Sequence, residues 1–388
     1  MQTSFFQCSV IVLVGLMHVN KYLGFFLIYC AFQSLFVKQG DTSTVTNMVF
    51  GLVAYQFIVK CSNVSEFKKY FYALIAVLIL NCFWCLRQYY NLDPIFSMVD
   101  QNHQKIITEP AGFFSLPAFF GNYAAVLAPI SMVTWYWPIV FVVAGLFLSK
   151  SSFSVIAGTS GVLFFLWFRK RIYFWVVLLV LGLASGFYII KYDLPGGQFN
   201  RRLNIWKLVE REAFTKQFFG HGIGSYKNSF FVEVTPSHET YRAADQEWLK
   251  KFLVVHAVKN NKIELAKSIN TDFPDVDKIQ KAMQKEDMDF HIWDHAHNTF
   301  LELFYETGGF GIFIIGFYVV DVFKRFFRFG RKNVLVLSLM GSFVAILMVS
   351  FGHFPFSLAR LASPYLCLLA FLELALIHAK KEQESVWA

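Results

Sequence analysis

Long apolar blocks are the feature that most constrains this sequence. They recur in lengths of about 17–22 residues, which is the length that crosses a lipid bilayer as one α-helix. Only 16% of the residues are charged and 56% are hydrophobic, whereas a soluble protein carries about 25% charged residues. We therefore predict an all-α polytopic membrane protein with about 11–12 transmembrane helices. The candidate spans are 5–19, 22–37, 45–60, 70–86, 112–131, 134–149, 153–168, 172–190, 300–322, 334–351 and 360–378.

Clusters of Lys and Arg predict which side of the membrane each connection faces. They lie at 60–69, 169–171, 324–332 and 380–381. Because short cytoplasmic connections are enriched in Lys and Arg, we place all four clusters in the cytoplasm. An even number of spans separates each neighbouring pair of clusters, which agrees with this orientation. The C-terminus is then cytoplasmic, and the segment 191–299 lies on the outer side.

The segment 191–299 is much longer than an ordinary connection, and such loops are usually functional or have structure of their own. We predict an N-terminal transmembrane bundle at 1–190, a loop domain at 191–299 and C-terminal transmembrane helices at 300–388. Apolar periodicity predicts amphipathic helices at 204–217 and 246–269 within the loop. The run from Gly220 to Gly224 predicts a turn between them.

Two histidines lie where the longest polar segment of the chain meets an apolar run. His295 and His297 immediately precede this run, and histidine is the side chain whose ordinary pKa allows proton transfer near neutral pH. The spacing of Thr299 and Glu302 is that of a capping box and predicts the start of a helix. Gly308 lies further along this helix, where another backbone can approach closely.

Three interpretations of His297 remain open from the residues alone. As a general base, its neutral imidazole would remove a proton from a hydroxyl nucleophile, with Glu302 or Asp294 orienting the ring. In a structural role, His297 and Asn298 only satisfy the free N–H groups of the helix start. In the third interpretation a metal ion is bound by the ligand-type residues of this window, which are His291, Asp294, His295 and His297.

Several cations are predicted on the outer side, against the usual distribution of charge. Arg201 and Arg202 lie at a helix start, and Lys150 lies at the outer end of a span, as do Arg87 and Arg360. The ordinary explanation is that such side chains extend into water. The functional alternative is an anionic ligand at the outer face, since guanidinium groups match phosphate oxygens well.

Two segments combine polar side chains with glycines at fixed spacings. The first consists of His297-Asn298, nine residues, Gly308, two residues and Gly311. It is similar to the histidine signature of the O-antigen ligase family, which belongs to a superfamily that also contains O-antigen polymerases. Upstream, Arg202-x-x-x-Trp206 followed by the glycine-rich segment 219–224 is similar to its Arg…Trp…Gly-x-Gly stretch.

Two earlier segments strengthen the resemblance. The residues at 111–114 and 121–123 are similar to a glycine- and asparagine-containing span of the family. Ser149-Lys150-Ser151 is similar to its Ser-Arg motif, with Lys in place of Arg, so the charge is retained while the bidentate contact is not. The resemblance covers roughly residues 110–320.

The resemblance implies a GT-C-like membrane glycosyltransferase of lipopolysaccharide biosynthesis that is inverting and needs neither a metal nor a cofactor. It would transfer a glycan from undecaprenyl diphosphate to a sugar hydroxyl of lipid A–core, at the periplasmic face of the cell inner membrane. His297 would be the general base, and Arg202 and Lys150 would hold the diphosphate. The other substrate-binding residues expected are Trp206, Asn298 and His295. The partners expected are these lipid-linked glycans and membrane lipids, and not nucleic acid.

Two alternative functions remain open at this point. An O-antigen polymerase would use the same kind of donor and join undecaprenyl-diphosphate-linked repeats. A transporter or lipid flippase belongs to a different class and favours ionisable residues in mid-membrane together with repeated halves, neither of which is evident here. The segment 246–289 matches no motif of the family and has no predicted role.

Overall fold

The computed structural model describes most of the chain between residues 20 and 387. The described residues are 20–37, 42–90, 92, 112–114, 117–134, 137–149, 151–179, 196–226, 229–235, 239–243, 246–272, 276–286, 288–292, 296–353 and 359–387. They form two compact units. The first unit is Met1–Met48 with Tyr192–Gly316, and the second is Val49–Lys191 with Phe317–Ala388.

Helices account for most of the described residues. The first described helices are α1 (Lys21–Phe36), α2 (Thr42–Cys61), α3 (Phe67–Tyr89), α4 (Pro117–Thr134), α5 (Pro138–Leu148), α6 (Ser152–Arg169) and α7 (171–179). The loop segment contains α8 (Gly196–Thr215), β1 (Phe230–Thr235), β2 (Glu239–Ala243), α9 (Gln246–Lys259), α10 (Ile263–Asp272), α11 (Val276–Gln284) and β3 (Asp289–Ile292). The chain ends with α12 (Thr299–Arg325), α13 (Val334–Gly352) and α14 (Ala359–Trp387).

Four helices among the described residues are long and apolar enough to cross a membrane. They are Val64–Tyr89, Ser152–Arg169, Val334–Gly352 and Ala362–Ser385. This finding suggests membrane association and fits a polytopic helical membrane protein. The other predicted spans coincide with helices over most of their described residues, while residues 5–19, 115–116, 135–136 and 180–190 lie outside the described part of the chain. The total of about 11–12 spans remains a prediction.

Helices of the second unit approach each other closely through small residues. A Cβ added to Gly161 of α6 would lie 2.5 Å from the carbonyl oxygen of Gly341 in α13, and one added to Gly341 would lie 2.7 Å from the carbonyl oxygen of Gly161. Small residues at such crossings let the two backbones pack directly. Helices in a membrane associate in this way because lipid tails are as apolar as their side chains, so the hydrophobic effect does not drive their association. Arg325 and Glu373 add a bidentate ion pair between α12 and α14.

The loop domain contains a small antiparallel sheet, so the all-α prediction is wrong for this part of the chain. The strand order is β2-β1-β3, with β1 in the middle. The sequence pattern missed β1, in which Val232 to Thr235 alternate between apolar and polar residues while the inner residues, from Phe231 to Val234, are all buried. It missed β3 because this strand has only four residues and pairs with β1, about 60 positions earlier in the chain. Such a short segment has too few residues to show a strand pattern.

The single helix predicted at 246–269 is also wrong, because the structure has two helices there. Asn261 adopts a left-handed conformation with φ of 59° between α9 and α10. The N–H of Lys262 donates to the carbonyl of Ala257 at 2.9 Å, and that of Asn261 donates to Val258 at 3.0 Å. These two bonds form a Schellman motif, which ends a helix at a residue that tolerates positive φ.

The segment 246–289 folds around a hydrophobic core within the loop domain. Buried side chains from α9, α10, α11 and the sheet pack together, and they include Leu253, Ile269, Ile279, Met283 and Phe290. Burial of about ten such side chains is the size of core that stabilises a small folded module. This segment is therefore a structured part of the loop rather than a simple linker.

Candidate functional site

The helix that carries Arg202 packs against the residue that precedes His297. The indole Nε1 of Trp206 in α8 donates a hydrogen bond of 2.7 Å to the carbonyl oxygen of Ala296. Ala296 is buried in a core that α8 shares with the start of α12, and this core includes Ile205, Val209 and Tyr305. This hydrogen bond therefore joins two segments that are 90 residues apart in the sequence.

Arg202 lies one helical turn before Trp206 on the same face of α8. The Cα atoms of two residues at this spacing are about 6 Å apart along the helix axis. The Arg202 side chain is partly buried, and this burial lowers the pKa of its guanidinium from the ordinary value. Even so, the guanidinium stays charged at every physiological pH. A partly buried cation therefore lies one helical turn from the tryptophan that contacts Ala296, the neighbour of His297.

His297 has an unusual backbone conformation, with φ of 52°. Non-glycine residues in this left-handed region are uncommon, although Asn, Asp and His are enriched among them. The side chain is partly exposed, while its Nδ1 atom is shielded from solvent. The imidazole is therefore held with one nitrogen inside the protein and part of the ring at the surface.

Asn298 caps the start of α12, so the helix start predicted at this point is confirmed. Its side-chain Oδ1 accepts from the N–H of Leu301 at 3.1 Å, and its carbonyl accepts from the N–H of Glu302 at 3.0 Å. The prediction that Thr299 is the capping residue is wrong, because Thr299 is already the first residue of the helix. Asn298 therefore supplies the helix cap that the structural interpretation assigned to His297 and Asn298 together.

Helix α12 is interrupted at Gly308, where φ is 66° and ψ is −172°. The glycine-rich segment after α8 pairs with this interruption through backbone hydrogen bonds. The N–H groups of His221 and Gly222 donate to the carbonyls of Tyr305 and Glu306 at 2.9 and 2.8 Å. In the opposite direction, the N–H of Gly309 donates to the carbonyl of Gln217 at 2.7 Å, and that of Phe310 to Phe218 at 3.2 Å.

Gly220 and Gly308 make this pairing possible, and we call their mutual approach the glycine contact. A Cβ on Gly220 would lie 2.4 Å from the carbonyl oxygen of Glu306, and a Cβ on Gly308 would lie 2.4 Å from that of Phe218. Both residues also have positive φ, a conformation that glycine adopts at no steric cost. The prediction that Gly308 allows close approach of another backbone is confirmed.

Two polar residues of α1 also contact the interruption of α12, and sequence reasoning missed them. The Tyr29 hydroxyl lies 2.7 Å from the carbonyl oxygen of Thr307. The Gln33 amide donates to the Tyr29 hydroxyl at 2.9 Å and also to the carbonyl of Phe219. Tyr29 and Gln33 are four residues apart and therefore share one helix face. That spacing inside an apolar run was the available signal.

A second missed group surrounds His221. Its ring stacks on that of Tyr305 with centroids 4.3 Å apart, and Arg242 of β2 lies over the same tyrosine at 5.7 Å. The Nε2 atom of His221 lies 3.1 Å from the carbonyl oxygen of Glu212, whose carboxylate pairs with Arg242 at 3.1 Å. This group ties α8, β2 and α12 to the glycine-rich segment.

We expect acidification to destabilise the loop domain through His221. Burial lowers the pKa of the imidazole from 6.5, and the positive charges of Arg242 and Lys216 act in the same direction. Above pH 6.5 the ring is neutral in both the folded and the unfolded state, so the full stability is present. Below that value only the unfolded state binds the proton readily, so the free energy of unfolding falls by at most about 1.4 kcal/mol per pH unit.

This prediction is checked by thermal unfolding of the purified protein between pH 8 and pH 5. His221→Gln removes the titrating group and should flatten the pH dependence. His378→Gln, at an exposed site in α14, should leave the dependence as in the wild type. Equal slopes for the wild type and His221→Gln would contradict the assignment.

Two further segments of the predicted site meet in the second unit. The Ser154 hydroxyl of α6 donates to Oδ1 of Asn122 in α4 at 2.8 Å. A Cβ on the neighbouring Gly121 would lie 2.4 Å from the hydroxyl oxygen of Ser149, so glycine is needed for this approach. The Ser151 side chain caps α6 by accepting from the N–H of Ser154 at 3.3 Å.

Several predicted site residues are not placed by the structure. Lys150, Asp294 and His295 lie outside the described residues, and the side chains of His291 and Arg360 do as well. Among the described residues, no group of three or more His, Cys, Asp or Glu could hold a metal ion. The window proposed for a metal falls mostly outside them. Arg87 is described, and its guanidinium donates to the carbonyl of Leu92 at 3.0 Å.

Neither the protein-family models nor the curated proteins contain a match to the chain. The arrangement of α8, the glycine contact and the start of α12 is therefore the basis on which a function is assigned.

Proposed function

We propose that the chain is a membrane glycosyltransferase similar to O-antigen ligases. It transfers a glycan from undecaprenyl diphosphate to a sugar hydroxyl of lipid A–core at the periplasmic face of the inner membrane. The reaction is inverting and independent of metal. His297 is the general base, and Arg202 contacts the diphosphate together with Lys150.

The observation that carries this proposal is the contact between Trp206 and Ala296. It links the helix of Arg202 to the residue before His297 with a hydrogen bond of 2.7 Å. A transferase of this kind needs a base for the acceptor hydroxyl and a cation for the diphosphate leaving group. The two motifs that supply these groups are distant in the sequence and adjacent in the first unit.

The conformation of His297 also supports a functional role. Residues held in rarely occupied backbone regions tend to lie at functional sites, where the surrounding structure compensates for their strain. The buried Ala296 on one side and the capping Asn298 on the other hold His297 in its left-handed conformation. A base whose ring direction is set in advance loses less entropy in the transition state.

The proposed chemistry uses these groups in one displacement. The imidazole of His297 accepts the proton of the acceptor hydroxyl, and the hydroxyl oxygen attacks the anomeric carbon of the donor sugar. The bond between this carbon and the diphosphate oxygen breaks, and its electrons leave with the diphosphate. Arg202 stabilises the negative charge that grows on the leaving group, and attack from the opposite face inverts the anomeric carbon.

The direct test is glycan transfer by the purified protein in detergent. The assay supplies an undecaprenyl-diphosphate-linked glycan together with either lipid A–core or a second lipid-linked repeat. Transfer to lipid A–core supports the ligase function, and transfer to the second repeat identifies a polymerase. A transporter needs two compartments and would give no product in detergent, so the absence of both products would refute the proposal.

We expect Arg202→Gln to impair use of the donor more than use of the acceptor. A hydrogen bond to a charged group contributes about 1.5–3 kcal/mol, so kcat/KM for the lipid-linked donor should fall at least about tenfold. KM for the acceptor should change much less. The measurement is a kinetic titration of each substrate at a saturating level of the other.

The matched control for this prediction is Arg211→Gln on the same helix. The Arg211 side chain is 72% exposed and is assigned no contact with substrate. Kinetics of Arg211→Gln should be those of the wild type. If both variants weakened donor use equally, the effect would come from the overall charge of α8 and not from a site at Arg202.

A further inference from the structure

Helix α9 of the loop domain has a second apolar face, and its side chains are largely exposed in the part of the chain that the structure describes. Leu249, Leu253 and Ala257 lie on its inner face and are fully buried in the loop core. On the opposite face Trp248 is 61% exposed, Val255 is 52% exposed and Val258 is 51% exposed. A helix that is apolar on both faces generally has a partner on each of them.

The three exposed apolar residues form one stripe, which we call the outer stripe of α9. At 100° per residue, Trp248, Val255 and Val258 lie within an arc of about 80°. Lys251 and Lys259 fall within or beside the same arc, and both are exposed. Ile263, at the start of α10, adds a further apolar side chain that is 61% exposed.

The charge of this segment indicates what covers the outer stripe. Residues 246–262 contain four lysines and one glutamate, Glu247, which forms an exposed ion pair of 3.0 Å with Lys251, so the segment keeps a net positive charge. Helices that lie in the interface of a membrane have Trp, Phe or Leu on the face that enters the lipid and Lys or Arg on the polar side, where these cations attract anionic lipids. Trp is enriched at that depth, and a lysine beside it can extend its ammonium group to lipid phosphates.

A second copy of the chain is a less suitable partner for this stripe. In a two-fold symmetric contact the same surface meets itself, so Lys251 and Lys259 would face lysines of the other copy. Like charges opposed across an interface disfavour association. Phosphate groups of a lipid surface are complementary to the same lysines, and the apolar helices of this chain already suggest association with a membrane.

We propose that α9 docks on the surface of an anionic lipid bilayer through its outer stripe. Trp248, Val255 and Val258 enter the boundary between headgroups and acyl chains, and Lys251 and Lys259 contact lipid phosphates. This gives a role to the segment 246–289 and is independent of the proposed catalytic activity. The inner face of α9 carries the loop core, so docking fixes the whole core at the lipid surface.

The test is photocrosslinking of the full-length protein in vesicles that contain about 30% phosphatidylglycerol. A benzoylphenylalanine is introduced in place of Val255, and adducts are identified by mass spectrometry. The same crosslinker in place of Lys281, an exposed residue of α11, is the control. We expect phospholipid adducts at position 255 at least tenfold more abundant than at position 281.

The charge component is tested with the crosslinker at position 255 and the exchanges Lys251→Gln and Lys259→Gln. A lysine near an anionic surface contributes about a fivefold change in binding, so each exchange should lower the yield of lipid adduct up to about fivefold. Vesicles of phosphatidylcholine alone should lower it similarly without any substitution. Crosslinks to a second copy of the chain, equal adducts at positions 255 and 281, or no response to charge would each overturn the proposal.

Discussion

Exchange of His297 for asparagine should abolish glycan transfer while the protein remains folded. Asparagine tolerates the left-handed conformation that His297 adopts, so the backbone before α12 keeps its course. Its amide cannot accept the proton of the acceptor hydroxyl, and loss of a general base costs about 100- to 10,000-fold in rate. The measurement is the initial rate of transfer from lipid-linked donor to lipid A–core.

His297→Ala is the necessary companion variant. Alanine removes the base and also strains the backbone at a φ of 52°, so it loses stability as well as activity. If the role of His297 were only structural, asparagine would preserve activity and alanine would lose it. The same assay in EDTA separates a base from a metal ligand, because loss of activity that a divalent ion restores would favour the metal interpretation.

The second large effect is expected at the glycine contact. Gly308→Ala and Gly220→Ala each place a methyl group about 2.4 Å from a backbone carbonyl oxygen, at a positive φ. Overlap with backbone cannot be relieved by a side-chain rotation, so we expect a loss of more than about 3 kcal/mol in unfolding free energy. Where the protein is recovered, its transfer rate should fall about 100-fold, because displacements of about 1 Å disturb a catalytic geometry that strongly.

Gly316→Ala is the matched control for the glycine contact. Gly316 lies on the same helix, α12, and a Cβ added to it would have no neighbouring atom within 4 Å. Alanine has a higher helix propensity than glycine, so this variant should be as stable as the wild type or more stable by up to about 1 kcal/mol. If Gly308→Ala were as stable and as active as Gly316→Ala, the glycine contact would have no part in holding α8 against α12.

These two experiments address different parts of one arrangement. The exchange at His297 removes a chemical group and leaves the packing of α8 on α12 in place. The exchanges at Gly220 and Gly308 keep every chemical group and disturb the packing. If the transfer rate falls for the exchange at His297 and for those at Gly220 and Gly308, while stability is normal only for the exchange at His297, then His297 acts as the base and the glycine contact holds it in place.

Much of the helical structure follows from the local sequence. Apolar blocks predict the helices of the second unit because each block is long enough to satisfy its own backbone hydrogen bonds in lipid. The start of α12 was predicted from residues beside it, since capping is a local interaction, although the capping residue is Asn298 and not Thr299. The turn at Gly220 was predicted from its glycines.

The parts that were missed depend on distant partners. Strand β1 pairs with β3 across about 60 residues, and a pairing partner that far away leaves no signal in the local sequence. The end of α9 depends on one left-handed asparagine, Asn261. Tyr29 and Gln33 acquire their role only from the broken helix α12, which lies about 280 residues further along the chain.

The sequence by itself determined a membrane-associated helical chain with one long polar segment and the residue types that acid–base and phosphate chemistry need. These properties depend on composition and on short spacings. Only the tertiary structure decided that the helix of Arg202 meets the residue before His297, that Gly220 and Gly308 let two backbones pair, and that α9 packs one of its apolar faces into the loop core while the other is exposed. The physical reason is that each of these contacts joins residues whose separation along the chain carries no local energetic signal, so packing alone selects them.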